Sequence, residues 1–387
     1  MQNNDTPAVS TQQGLQENQL PLVIGVDLGG TQIRTAVLRG ATLLSRISIL
    51  TGANTQPDSV LPRMYEAIQE ALDKADVSLG QIAGIGVAAP GPLDSNRGIV
   101  FSPPNLPGWD GIPLRDLLAE RFQTSIYVDN DANVAGLGEY MFGAGQGSRN
   151  IVYMTVSTGI GGGVIADGKL LRGANGTAGE LGHMTIDWHG ERCTCGNIGC
   201  LEYIASGTSI ARKANEAIQA GEGTELLTFA RTMLQHSSTV ADQSALPTHS
   251  YDPTTVELDI SALEEEEDTL ANALQQGDEE DLWVNARTVA LAAEAGIPLA
   301  RAIIQHAAEA LGVGFVNIIH IFNPDMIIVG GGVTQMGPML MEPALRVVQE
   351  RAMKAPSEAV RIVQAQLGMN VGLVGAGALV YSQLQIT

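Results

Sequence analysis

Short apolar runs ended by glycine, asparagine or aspartate recur along this chain, interleaved with stretches of helical spacing. Val23–Val26 is a buried-strand run. Asp27-Leu-Gly-Gly-Thr31 is a tight turn, and Ile33–Leu38 is a β-rich arm that pairs back as a hairpin. Thr42–Leu50 continues the meander as a third strand. Ser59–Lys74 puts Val60, Met64, Ile68 and Leu72 on one helical face. Ile82–Ala88 predicts a further strand, Pro113–Phe122 a short helix, and Ser125–Val128 a strand that runs into a helix bearing Val134, Leu137, Gly138 and Met141. Asn150–Val156 and Val164–Ala166 predict a second hairpin around Ser157–Gly163. Thr208–Gln219 reads as a helix. Pro298–Phe322 predicts a long one, with Ala302, Ile303, His306, Leu311, Phe315 and Ile319 along a broad face. Met326–Val329 is a strand, and glycines in Val371–Gly377 open a last helix to about Leu384. Two hairpins of one kind suggest an internally duplicated α/β fold with one glycine turn per half.

Composition narrows the class. A chain of 387 residues fits two domains plus an extra segment. The net charge of −21 argues against binding a nucleic-acid backbone, which needs clustered lysine and arginine. It leaves room for small anions held by backbone amides, and 45 glycines supply such turns. Much of the negative charge lies in one place: Glu257–Asp281 carries eleven acids and no base. Residues 221–287 therefore read as a solvated acidic insertion. Residues 1–19 are polar and expected to be disordered, with no basic-then-apolar leader. The apolar run Gly312–Val333 is interrupted by Asn317, His320, Asn323, Pro324 and Asp325, so no membrane span is expected. Asn175-Gly-Thr177 matches a glycosylation acceptor only by chance in this setting. Three cysteines in a metal pattern suit a reducing, cytoplasmic location.

Those cysteines are Cys193, Cys195 and Cys200, the only ones in the chain. With one histidine they make a four-ligand zinc set that leaves no open position, hence a structural site. His183 and His189 both lie near enough in sequence to complete it. Glu180 and Glu202 flank the stretch. Around Asp27, the backbone of Gly29, Gly30 and Thr31 suits a phosphate, as does the second turn with Thr158, Gly159 and Gly161. Gly331 and Gly332, after the late strand, would admit an adenine or ribose flat against the backbone. Neither hairpin turn is a GxxxxGK[ST] loop or a GxGxxG fingerprint, which argues against P-loop and Rossmann chemistry. Asp129-Asn130-Asp131-Ala-Asn133 crowds polar groups at the end of a strand that opens a helix, where α/β sheets place their chemistry. Asp131 there reads either as a capping carboxylate or as a general base. Prolines 103, 104 and 107 stiffen the loop that presents Asn105.

Four stretches in this order, Asp27–Thr31, Asn130–Asn133, Glu180–His183 and Cys193–Glu202, resemble the ROK family (repressors, open reading frames, sugar kinases). The resemblance covers nearly everything from Val23 to Leu384 except the insertion. It implies a two-domain actin/Hsp70/sugar-kinase-like (ribonuclease H-like) α/β fold with duplicated βββαβα-type domains. The small domain would span 20–130, completed by the last helix at about 373–387, and the large domain 131–372, with the zinc loop at 183–200. It also implies phosphorylation of a hexose 6-hydroxyl by ATP and Mg2+. Asp131 would be the base. Asn105, Asn130, Glu180, His183 and Glu202 would hold the sugar, and Asp27 would orient the magnesium. His183 would both ligate zinc and face the sugar. The Asn105–Trp109 loop looks more like the family's glucokinases, so glucose ranks ahead of N-acetylmannosamine and N-acetylglucosamine. A non-catalytic sugar sensor or repressor is the remaining reading. The repressor is disfavoured because about 22 residues before the first strand are too few for a winged helix-turn-helix and the charge is wrong for DNA, and the sensor because Asp131, Asp27 and both glycine loops are intact. ATP rather than polyphosphate as donor, and a homodimer or homotetramer, complete the expectations.

Overall fold

The computed structural model describes residues 19–103, 105–240 and 284–386. In chain order the elements are β1 (Leu22–Leu28), β2 (Gln32–Arg39), β3 (Thr42–Leu43), β4 (Ile47–Leu50), α1 (Pro57–Ala75), β5 (Ile82–Ala89), β6 (Leu93–Asp94), β7 (Ile99–Phe101), β8 (Asp110–Ile112), α2 (Leu114–Phe122), β9 (Ile126–Asn130) and α3 (Asp131–Phe142). There follow β10 (Ile151–Val156), β11 (Ile160–Ala166), β12 (Lys169–Leu170), α4 (Glu202–Ala205), α5 (Gly207–Gln219), α6 (Thr224–Val240), α7 (Ala286–Glu294) and α8 (Pro298–Phe322). The chain closes with β13 (Met326–Gly330), α9 (Pro338–Arg351), α10 (Lys354–Ala359), β14 (Arg361–Gln364) and α11 (Val371–Gln383).

The chain divides into two compact units, one of residues 1–148, 163–178 and 366–387, the other of 149–162 and 179–365. The first is organised on a sheet ordered β3-β2-β1-β5-β9, with β4 also on β2. β1 is antiparallel to β2 but parallel to β5, and β5 is parallel to β9. Both faces of β1 are covered, which is why Val23, Ile24 and Val26 form a continuous apolar run rather than an alternating one. One face is covered by α1, whose Val60, Met64, Ile68 and Leu72 are buried as their spacing predicts. The other is covered by α11. A Cβ on Gly25 would stand 2.3 Å from the Leu373 carbonyl oxygen, and one on Gly86 1.8 Å from that of Ala376. These two glycines let the helix lie directly on the strands.

A second sheet has the order β12-β11-β10-β13-β14; β10, β13 and β14 lie in the second unit, β11 runs from it into the first, and β12 folds back on the far end of β11. β10, β13 and β14 are parallel. α8 packs against α9, α7 and α5. It is long and apolar enough to cross a membrane, but Ile304, Leu311, Phe315 and Ile319 are core residues here.

Several expectations need correction. Thr42–Leu50 is two short strands, because the chain bends at Ser45, whose hydroxyl donates to the Ala71 carbonyl. The expected face of α8 is out of phase in its first half. Ala302 and His306 are exposed, while Ala300, Ile304, Ala307 and Ala308 are buried. The division expected at residue 130 falls after α3 instead. That helix crosses α11 so closely that a Cβ on Gly138 would stand 2.9 Å from the Gly375 Cα. The expected insertion 221–287 is packed at both margins: Leu226 and Ala230 of α6 are buried, and the Asn215 amide bonds both the N–H and the carbonyl of Val284 at 2.9 and 2.7 Å. Its acidic core and the expected disordered tail, apart from Gln19, lie outside the described residues.

Candidate functional site

In the first unit the site grows from strand ends. Register pairs Asp27 with Ala88 and Ala88 with Asp129. The C-terminal ends of β1, β5 and β9 thus form one row, with Asp27 and Asp129 on the order of 10 Å apart, two interstrand spacings. The Gly29–Thr31 turn closes β1 onto β2, with the Gly29 amide on the Gln32 carbonyl at 2.9 Å. Thr51 ties it down from the side, donating its hydroxyl to the Gly29 carbonyl at 2.8 Å and its amide to the Thr31 carbonyl at 2.7 Å. A Cβ on Gly30 would stand 2.8 Å from the Asn105 carbonyl oxygen. The phosphate-type turn and the asparagine loop therefore touch, and only glycine fits between them. That loop is anchored by Trp109, fully buried, whose indole donates to the Thr55 carbonyl at 2.7 Å. Burial pushes the Asp27 carboxyl above its ordinary range, while Arg34 at 3.7 Å pulls it down. A cation beside Asp27 would relieve that burial cost.

Asn130 is the N-cap of α3, and its side-chain oxygen accepts from the Ala132 and Asn133 amides at 3.0 and 3.4 Å. Capping thus falls to Asn130, and Asp131 is the first residue of the helix. One Asp131 oxygen accepts from the Ala132 amide at 2.7 Å. Asp129 is 1% exposed, accepts from the Asn130 amide and the Asn133 side chain at 2.8 and 3.1 Å, and pairs with Arg172 at 2.7 Å. Arg172 escaped the sequence reading, since nothing in the sequence links two residues 43 apart.

In the second unit the Ser157–Gly161 turn is the centre. It is fixed to α5 by the Gly207 amide on the Ser157 carbonyl at 2.7 Å. The Ile160 amide donates to Glu202 Oε2 at 2.7 Å, and a Cβ on Gly159 would stand 2.6 Å from the same oxygen. A Cβ on Gly182 would be 2.1 Å from the Ile160 carbonyl oxygen. Glu202 and the Leu181–His183 turn after Glu180 therefore both lie on the glycine turn. Gly331, at φ 94°, abuts Val156 at the end of β10, where a Cβ would meet the Val156 carbonyl oxygen at 2.4 Å. In the second unit the structure thus sets Glu202 and Gly182 directly on the turn that carries Thr158, Gly159 and Gly161, and Gly331 on the strand that enters it, with Glu180, His183 and Gly332 adjacent in sequence to these contacts.

The metal cluster is His183, Cys193, Cys195 and Cys200, with all four donor atoms within 4.8 Å of one another. Cys195 and Cys200 sulfurs are 3.6 Å apart, and Cys193 Sγ lies 3.9 Å from His183 Nδ1. A tetrahedron with zinc–sulfur bonds of about 2.3 Å has edges of about 3.8 Å, so these separations fit zinc. His183 completes the set, and His189 does not belong to it. Burial first, then the neighbouring cysteine sulfurs, push the Cys200 thiol up to about 12. Thiolates held this close need a cation to share their charge. Because Nδ1 faces the sulfurs, Nε2 is the nitrogen left for another partner.

A family model for the ROK family matches residues 23–248 and 266–383. A glucokinase from Halalkalibacterium halodurans is 32% identical over 362 residues, 93% of this chain and 95% of that one. A xylose repressor from Caldicellulosiruptor bescii is 29% identical, over 94% of this chain and 78% of its own. Among solved structures, the ROK hexokinase from Thermus thermophilus superposes with a TM-score of 0.70 at 31% identity, covering 95% of this chain and all of that one. The ROK glucokinase from Streptomyces griseus, in complex with glucose and AMPPNP, gives 0.64 at 29% identity, covering 92% and 98%.

Proposed function

This chain belongs to the ROK family, and on that premise we propose that it is a sugar kinase that transfers the γ-phosphate of ATP to the 6-hydroxyl of glucose. The observation that carries the reading is the row of strand ends in the first unit. It sets Asp27 and the Asp129–Asp131 corner on one edge, with Gly30 packed on Asn105 beside them. Phosphate turn, sugar-type amide and carboxylate share one end of one sheet, as phosphoryl transfer to an alcohol requires. A glucokinase relative and a related structure holding glucose and AMPPNP support glucose as the acceptor and ATP as the donor.

Asp131 accepts the proton of the sugar hydroxyl as the oxygen attacks. Its position as the first residue of α3, with one oxygen accepting from the Ala132 amide, fixes the carboxylate for that role. Asn105, Asn130, Glu180, His183 Nε2 and Glu202 orient the sugar. Within Gly29–Thr31 and Thr158–Gly161, the hydroxyls of Thr31 and Thr158 and the amides other than those of Gly29 and Ile160, which bond Gln32 and Glu202, carry the charge of the β- and γ-phosphates. Gly331 and Gly332 take the nucleoside. Asp27 would hold Mg2+, which would supply charge neutralisation for the nucleotide. Cys193, Cys195, Cys200 and His183 would hold zinc, which would fix the angle of the imidazole and leave the transfer to other groups. A sensor role, which the repressor relatives raise, has no need of a carboxylate placed as Asp131 is.

The test is an ADP-release assay with ATP and Mg2+ across glucose, mannose, fructose and the N-acetylhexosamines. Glucose should give the largest kcat/KM. Asp131→Ala should lower kcat by about 10²-fold or more. A larger kcat/KM for an N-acetylhexosamine would move the substrate, and near-wild-type turnover in Asp131→Ala would remove Asp131 as the base.

A further inference from the structure

We infer that Arg172 is a positioning residue for phosphoryl transfer, acting on Asp131 through Asp129. The inference rests on the sugar-kinase reading with Asp131 as base. Arg172 lies just beyond β12, far in sequence from the Asp131 corner, yet its Nε donates to Asp129 Oδ2 at 2.7 Å. The other Asp129 oxygen accepts from two groups of the corner, the Asn130 amide at 2.8 Å and the Asn133 side-chain nitrogen at 3.1 Å. Asp129 is thus a buried carboxylate with both oxygens committed, one to the guanidinium and one to the residues on either side of Asp131. A hydrogen-bonded carboxylate of this kind is stiff only while its counter-charge is present. Without Arg172, a buried anion would be left with neutral donors alone. It would take up a proton or draw other donors toward it, and either response alters its bonds to Asn130 and Asn133. Those two residues set the first turn of α3, and the first residue of that turn is Asp131.

Arg172 is not sealed in the core. Its side chain keeps 27% of its surface, and with Asp129 it lines a cavity of about 390 Å³ bordered by Ser95, Asn96, Arg115 and Tyr127. A small cation can therefore reach the place a truncated Arg172 would leave.

The experiment measures kcat and KM for sugar and ATP in Arg172→Ala, Arg172→Lys and Asp129→Asn, each checked for thermal unfolding, with methylguanidinium added at millimolar concentration. In Arg172→Ala, kcat should fall by about 10²-fold, the usual consequence of a reacting group displaced by an ångström. KM for ATP should change by less than about threefold, since none of the groups assigned to the nucleotide bonds Asp129, and KM for the sugar should rise by much less than kcat falls, since Asn130 is one of five sugar-binding groups. Lysine should restore part of the loss, and methylguanidinium should raise kcat of Arg172→Ala several-fold while leaving wild type and Asp129→Asn unchanged. Should Arg172→Ala fail to fold, Arg172→Lys and Asp129→Asn carry the same comparison of kcat with KM. A wild-type kcat in Arg172→Ala, or a loss confined to KM, overturns the inference while a dead Asp131→Ala leaves the kinase reading standing. A wild-type protein inactive on every sugar, or an active Asp131→Ala, sinks the kinase reading whatever the Arg172 variants do.

Discussion

The Asp131 corner and the Glu180–Glu202 stretch both carry candidate site residues but are built in opposite ways. The corner sits where β9 runs into α3, and its order comes from regular backbone, a cap and a buried ion pair. The Glu180–Glu202 stretch has little regular structure. It holds one turn at Leu181–His183 and two isolated bridges, Thr185 with Cys200 and Arg192 with Ile198. Its backbone bonds are scattered turn and bridge contacts rather than a continuous ladder, so a four-ligand cross-link is what ties them into one unit. The corner is held by secondary structure and the stretch by a metal. The two should therefore fail under different insults.

Removing zinc is the strongest way to break the comparison. Chelation, or Cys200→Ser, should lower kcat/KM for the sugar by at least about 10²-fold, since His183 loses its fixed orientation. Hydrogen exchange would localise the damage. The amides of Ile186, Cys193 and Gly199, which bond within the loop, should lose protection. Those of Ala132 and Asn133 should keep theirs. Equal loss of protection in both places would show that the corner also depends on the metal.

The reciprocal insult falls on Glu139. It is fully buried in α3, and its carboxylate accepts from the amides of Ala144, Gln366 and Leu367 at 2.8, 2.9 and 2.8 Å. It staples the approach to α11 onto α3. Glu139→Gln exchanges a carboxylate for a neutral amide and turns an NH2 group toward backbone N–H donors. Urea unfolding should show a loss of about 3 kcal/mol. Bound zinc should stay at wild-type stoichiometry. Zinc loss in this variant would mean the two modes of construction are not separable.

The same contrast explains what the chain reveals before it folds. The zinc ligands lie within 18 residues of one another, so the cluster could be read in sequence, and both glycine turns are contiguous, so their place between two strands could be read too. The corner was legible because Asn130 and Asp131 sit at a strand–helix junction. Three things were hidden for one reason. Arg172 reaches Asp129, Glu139 reaches Gln366, and Gly138 meets Gly375, each across a stretch of chain whose path no local pattern encodes. The phase of α8 was misread because its first turns are rich in alanine, which is apolar enough to suggest a face but too small to define one. The margin of the acidic segment was misplaced because a buried amide, Asn215, and not an apolar run, fixes Val284.

A last and smaller test asks whether anything besides zinc holds the loop. Glu191, two residues before Cys193, bonds Lys213 Nζ on α5 at 2.5 Å, and Lys213 also meets Glu216 at 3.2 Å. The Glu191 carboxylate, despite partial burial, raises the Lys213 pKa above its ordinary value of 10.5. A raised lysine favours the folded state while it is charged, so the contribution is full below the unfolded value and disappears as pH climbs through the folded one. The Lys213 side chain is 39% exposed, and solvent screens the pair. Lys213→Met should therefore cost only about 0.5 kcal/mol near neutral pH. The difference from wild type should shrink as pH rises past 10.5, and salt should weaken it further. A pH-independent loss of several kcal/mol would assign Lys213 a packing role and make α5 a second fastening of the loop, comparable with the metal.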